Sequence, residues 1–75
     1  MTPTPSHATG ANVKAEMARR GVTQTVLAEM TGIPQSALSK RLRGRIAFNV
    51  NELAGISAAL GVPLADLLPS ESVAS

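Results

Sequence analysis

The stretch TQTVLAEMTGIPQSALSKRLRGR, from Thr23 to Arg45, decides the fold. Thr23 is a good helix N-cap, and the helix-forming residues after it end at Gly32, a common helix stop. The residue before Pro34 is disfavoured in the α region, so a tight turn separates this segment from the next. Proline suits the first turn of a new helix, which we predict over 35–43. The stretch therefore predicts two short helices joined by a tight turn.

The second helix of this pair is amphipathic. At about 100° per residue, Leu38 and Leu42 fall on one side, which we expect to face the core. The opposite side is polar and basic, with Gln35 between the two sides. Four of the seven basic residues lie within six positions, namely Lys40, Arg41, Arg43 and Arg45, and no acidic residue lies between positions 30 and 51. Such a cluster indicates either a contact with a polyanion or a solvated helix face.

Three further helices are predicted around this pair. The first covers 11–20, the fourth begins after Asn49 with Glu52 completing a capping box, and a short fifth helix ends before Pro69. The inward residues are Val13 and Met17 in the first helix, Leu27 and Ala28 in the second, and Leu53, Ile56 and Leu60 in the fourth. Leu64, Leu67 and Leu68 mark the fifth helix. We therefore predict that residues 10–69 form one compact five-helix, all-α domain, between an arm (1–9) and a tail (70–75) that we expect to be flexible.

Composition argues against several classes of protein. The chain of 75 residues has no cysteine, and His7, its only histidine, lies in the predicted arm. The carboxylates are dispersed, and no glycine-rich phosphate loop occurs, so we expect no enzymatic activity, no cofactor and no metal. No apolar run is long enough to span a membrane, and no signal peptide is evident. We therefore expect a cytoplasmic protein.

The spacing of these residues resembles the Cro/C1-type (Xre-like) helix-turn-helix family. That family comprises bacterial and phage repressors with a five-helix, lambda-repressor-like DNA-binding domain. The resemblance is carried by Thr23-Gln24, Leu27-Ala28, the run from Gly32 to Ser39, and the later segments 42–45 and 59–64. It covers about Val13 to Leu68. Many members have an acidic residue where this chain has Leu42, a departure that we expect to change packing and not the binding mode.

The resemblance assigns roles to individual residues. In this family a Gln opening the second helix commonly contacts a phosphate, and a Gln opening the third contacts a base. Together with side-chain chemistry, this predicts base contacts by Gln35, Ser36, Ser39, Lys40 and Arg43. Phosphate contacts are predicted for Thr23, Gln24, Arg41, Arg45 and Asn49. Thr23, Gln24 and Asn49 have capping as a competing role, and the charged residues could simply be solvated.

These observations predict a sequence-specific regulator of transcription that binds double-stranded DNA through the major groove, of the phage repressor or Cro type. A protein-interaction or antitoxin-like adaptor module with the same fold is the alternative, because fold does not settle function. Most relatives bind as dimers, so the resemblance implies a homodimer, formed in solution or only on operator DNA; a protein that acts as a monomer is the alternative. Leu64, Leu67 and Leu68 could either form a contact surface for it or close the core. We expect no small-molecule ligand and no membrane partner, and a location at the bacterial nucleoid.

Overall fold

Four α-helices make up most of the computed structural model, which describes residues 5–69. They are α1 (Pro5–Arg20), α2 (Gln24–Thr31), α3 (Gln35–Leu42) and α4 (Val50–Leu60), followed by a 3₁₀-helix at Leu64–Leu67. No residue in this described part of the chain lies in a strand, which agrees with the all-α prediction. The helices of residues 5–69 lack the length and the hydropathy that a membrane span requires. The predictions for residues 1–4 and 70–75 fall outside the described residues.

The prediction of five α-helices is wrong at the fifth. Residues 64–67 form a single 3₁₀ turn, because Pro63 and Pro69 leave only a short segment between them. Leu68 is extended, with φ −83° and ψ 154°, as expected of a residue before proline. The amide of Asn12 in α1 donates to the carbonyl oxygen of Leu68 at 3.0 Å and so ties this end of the domain to the first helix.

Helix α1 begins earlier than we predicted. It starts at Pro5 and not near Ala11, so residues 5–9 of the predicted arm are helical. The reason is a tertiary contact. A Cβ atom placed on Gly10 would lie only 2.5 Å from the carbonyl oxygen of Leu42, so the backbone of α1 crosses directly over the end of α3. This close packing orders the first turns of α1, where Thr9 is buried.

The core is aliphatic, and every helix contributes to it. Helix α1 packs against α3 and α4, and α2 packs against α3 and α4. The buried apolar residues are Val13, Met17, Leu27, Ile33, Leu38, Leu42, Leu53, Ile56, Leu60, Val62 and Leu67. Leu64 and Ala28 are partly buried against them, whereas Leu68, which we had grouped with Leu64 and Leu67, is exposed. Leu64 and Leu67 therefore close the core.

The turn between α2 and α3 forms as predicted. Gly32 adopts the left-handed conformation, with φ 76°, and its N–H donates to the carbonyl of Ala28 to end α2. Ile33, between Gly32 and Pro34, is buried. Pro34 directly precedes Gln35, the first residue of α3. The side-chain oxygen of Thr23 accepts the N–H of Val26 and caps the start of α2. Helix α2 is thus capped at both ends, and Pro34 sets the start of α3.

Candidate nucleic-acid interface

One side of α3 holds the helix on the domain, and the other faces solvent. Leu38 is fully buried and Leu42 nearly so. The exposed residues are Gln35, Ser36, Lys40 and Arg43, while Ser39 is half-buried. Helix α3 ends one residue sooner than predicted, at Leu42, and Arg43 is its C-cap, with φ −80° and ψ −8°. The side of α3 formed by the exposed residues and Ser39 is called the α3 surface below.

The first turns of α2 and α3 are linked by polar side chains. The amide nitrogen of Gln35 donates to the hydroxyl oxygen of Thr25 at 3.1 Å. The side-chain amide nitrogen of Gln24 lies 3.5 Å from the main-chain carbonyl oxygen of Gln35, at the outer limit of a hydrogen bond. The structure therefore brings together the two glutamines that the sequence predicted to bind DNA. It adds Thr25, which sequence patterns could not identify because the contact depends on how α2 and α3 cross.

Thr23 and Asn49 both serve as helix N-caps. The Asn49 side chain accepts the N–H of Glu52 at 2.7 Å, and the Glu52 carboxylate accepts the N–H of Asn49 at 3.0 Å. This is the capping box predicted from the sequence. Both caps are exposed, at helix N-termini where backbone N–H groups favour anions. Capping uses one acceptor of each side chain and leaves its other polar groups open to solvent.

Arg41 is bound within the domain. Its Nε donates to the Glu52 carboxylate at 3.0 Å, and its Nη1 donates to the carbonyl of Ala37 at 3.2 Å. The side chains of Arg41 and Glu52 are only 20% and 17% exposed. The pair therefore joins α3 to the capping box of α4. The sequence predicted a phosphate contact for Arg41 and did not indicate Glu52 as its partner. The pair with Glu52 gives Arg41 a structural role, because it joins two helices.

The remaining cations of the cluster point to solvent. Lys40, Arg43 and Arg45 are exposed, and none of them makes an ion pair within the described residues. In α1, by contrast, Arg19 and Arg20 both pair with the buried carboxylate of Glu16. The α3 surface and its flank consequently present uncompensated positive charge together with amide and hydroxyl groups. This combination suits phosphates and base edges.

A catalytic or metal site has no comparable support. Among residues 5–69, no three His, Cys, Asp or Glu side chains lie close enough to hold a metal ion. His7 lies against Gly44: a Cβ atom placed on Gly44 would come within 2.8 Å of the imidazole ring of His7. It is thus part of the packing between α1 and the loop after α3.

The chain is similar to helix-turn-helix proteins both in sequence and in structure. The model of the Helix-turn-helix family matches residues 13–67. The crystal structure of the clp gene regulator ClgR from Corynebacterium glutamicum is similar, with a TM-score of 0.83 and 35% identity over 88% of this chain and 86% of that one. A second structure of that regulator gives the same score and identity over 87% of this chain and 69% of the other.

A different kind of protein contains a similar unit. Streptomyces albus HEPD, whose structure holds 2-hydroxyethylphosphonate and Fe(II), aligns with a TM-score of 0.78 and 30% identity. The match covers 92% of this chain but only 15% of that protein. No curated protein sequence matched. The shared unit thus occurs both in a gene regulator and within a much longer chain.

Proposed function

Because the chain belongs to the helix-turn-helix family, of the Xre/Cro-C1 type, we propose that it is a DNA-binding transcriptional regulator that recognises a specific double-stranded sequence. The observation that carries this proposal is the α3 surface. Its exposed donors and acceptors stand on a helix that is fixed by the buried Leu38 and Leu42. A helix presented in this way can enter the major groove with its first turn nearest the bases.

The proposed base contacts are made from the α3 surface. Gln35 can bind adenine with both ends of its amide, Lys40 and Arg43 can donate to guanine, and a serine hydroxyl can donate or accept. The base-contacting set is Gln35, Ser36, Ser39, Lys40 and Arg43. Because the first turn of a recognition helix lies nearest the bases, Gln35 and Ser36 supply most of the base specificity in this proposal.

Phosphate contacts are proposed around the edge of the α3 surface. Gln24 and Thr23 lie at the start of α2, Asn49 at the start of α4, and Arg45 in the loop after α3. Backbone N–H groups at the two helix starts add to the attraction for a phosphate. We leave Arg41 out of this set, because its guanidinium is bound to Glu52.

Among DNA-binding regulators, we propose that this protein is a phage-type repressor or Cro, which binds an operator and blocks promoter access. The similarity to a clp gene regulator supports control of transcription in general. We propose a homodimer on two half-sites about one helical turn apart, formed in solution or on DNA, as helix-turn-helix dimers do. Such a protein acts in the bacterial cytoplasm, at the nucleoid, and requires neither catalysis nor a bound cofactor.

The alternative of a protein-interaction module is less well supported. Large apolar side chains are exposed at five described positions, namely Val26, Met30, Ile46, Val50 and Leu68. None of them lies in α3, whose exposed side is polar and cationic. A docking surface for a protein partner would more often have an exposed apolar patch at its centre. The polar character of α3 thus favours DNA.

Selection of bound duplexes from a random DNA pool tests the proposal. We expect one enriched sequence, whose symmetry also reports whether one copy or two bind. Fluorescence anisotropy should then show tighter binding to this duplex than to a scrambled one. If about six phosphates are neutralised, log affinity should fall against log salt with a slope of roughly −5. Equal affinity for selected and scrambled duplexes across salt concentrations would contradict the proposal.

A further inference from the structure

The Gln35 side chain is held from outside its own helix. One N–H of its amide donates to the Thr25 hydroxyl at 3.1 Å. Both residues are exposed, so the hydrogen bond contributes nothing to closing the core. The bond instead restricts where the Gln35 amide points. A restriction of this kind matters where the amide must meet a partner in one orientation.

The bond to Thr25 changes what the amide can offer to a base. A glutamine amide has two N–H donors and one oxygen acceptor. With one N–H engaged by Thr25, one donor and the acceptor remain. Adenine presents one donor, N6–H, and one acceptor, N7, in the major groove, whereas guanine presents two acceptors, N7 and O6. The groups left on Gln35 therefore complement adenine and fail to satisfy guanine.

We propose that Thr25 is a positioning residue that strengthens the preference of Gln35 for adenine over guanine at one base pair; this rests on the proposed function. To present two donors to guanine, the amide must turn over, so that the Thr25 hydroxyl donates to Oε1. Adenine is bound without that rearrangement. Thr25 itself touches no base, and its effect is confined to the pair read by Gln35.

A comparison of Thr25 variants tests the proposal on the selected duplex. Thr25→Val removes the hydroxyl with little change in shape, Thr25→Ser keeps it, and Thr25→Ala removes it while favouring the helix. The base pair read by Gln35 is the one at which Gln35→Ala relaxes the preference. Affinity is measured for each protein on duplexes with A·T or G·C at that pair, and thermal melting verifies that each variant is folded.

We expect the ratio of affinities for A·T over G·C to fall about two- to tenfold in Thr25→Val and Thr25→Ala, the effect of losing one hydrogen bond. Thr25→Ser should keep the wild-type ratio. In a Gln35→Ala background, Thr25→Val should leave the ratio unchanged. Preferences at the other base pairs should stay as in the wild type.

The contrary outcomes are distinct. An unchanged ratio in Thr25→Val, or an equal loss of affinity for both duplexes, overturns the positioning role and leaves DNA recognition intact. Selection of guanine by the wild type at that pair also overturns it. Absence of any selected sequence with the wild-type protein overturns the proposed function itself, and the inference with it.

Discussion

The two ends of α3 are held in opposite ways. At its start, exposed amide and hydroxyl groups of Gln24, Thr25 and Gln35 form hydrogen bonds that compete with water. At its end, Leu42 is buried, and the backbone of α1 passes directly over it at Gly10. The end of the helix is therefore suited to stability. At the start, the hydrogen bond to Thr25 leaves one donor and the acceptor of the Gln35 amide open to a base.

The largest expected effect is a loss of stability when a buried side chain of α3 is truncated. Leu38→Ala removes a fully buried side chain and should lower the free energy of unfolding by about 2–5 kcal/mol. For a domain this small, that is a large share of the total stability. Urea denaturation followed by circular dichroism measures it. Ser36→Ala, on the exposed side of the same helix, is the matched control and should change stability by less than about 0.5 kcal/mol.

A smaller effect, on binding alone, is expected at the start of α3. Gln35→Ala should cost about 1–3 kcal/mol of affinity for the selected duplex and relax the preference at one base pair. Its stability should match that of the wild type, because Gln35 is exposed. Anisotropy titrations against duplexes varied at each position measure the preference. A loss spread evenly over all positions would contradict the assigned base contact.

The smallest expected effect separates two arginines of the same cluster. Arg45→Gln should weaken binding to all duplexes and make the salt slope less steep by about 0.9, the change for one lost phosphate contact. Arg41→Gln should leave the slope unchanged and instead lower stability by about 1 kcal/mol, because it breaks the pair with Glu52.

Lys14→Gln removes the same charge from an exposed position of α1, outside the proposed interface, and serves as the control. It should change neither the salt slope nor the stability measurably. A shallower slope in Arg41→Gln would restore the phosphate contact that the sequence predicted for that residue.

Local patterns were sufficient to predict much of this structure. The cap at Thr23, the turn through Gly32 and Pro34, and the capping box of Asn49 and Glu52 are all set within a few residues, and the structure confirms them. The buried residues of α3 followed from helical periodicity alone. Such features depend on neighbours along the chain, which a sequence displays directly.

The features that were missed depend on residues brought together by packing. The early start of α1 depends on the approach of Gly10 to Leu42, and no periodicity in residues 5–9 indicates it. The Arg41–Glu52 pair was missed because capping had already accounted for Glu52, eleven residues away. The hydrogen bond from Gln35 to Thr25 likewise requires the crossing of two helices. The contacts with DNA remain predictions.

The backbone contact at Gly10 also offers a practical way to observe binding. Since no side chain separates α1 from the end of α3 at that point, a shift of α3 must be passed on to α1. The chain has no cysteine, so a cysteine introduced at the exposed Ala11 would be the unique attachment point for a fluorophore. A dye there would stand one residue from the contact and off the α3 surface, where it could report movements of α3 without occupying the groove.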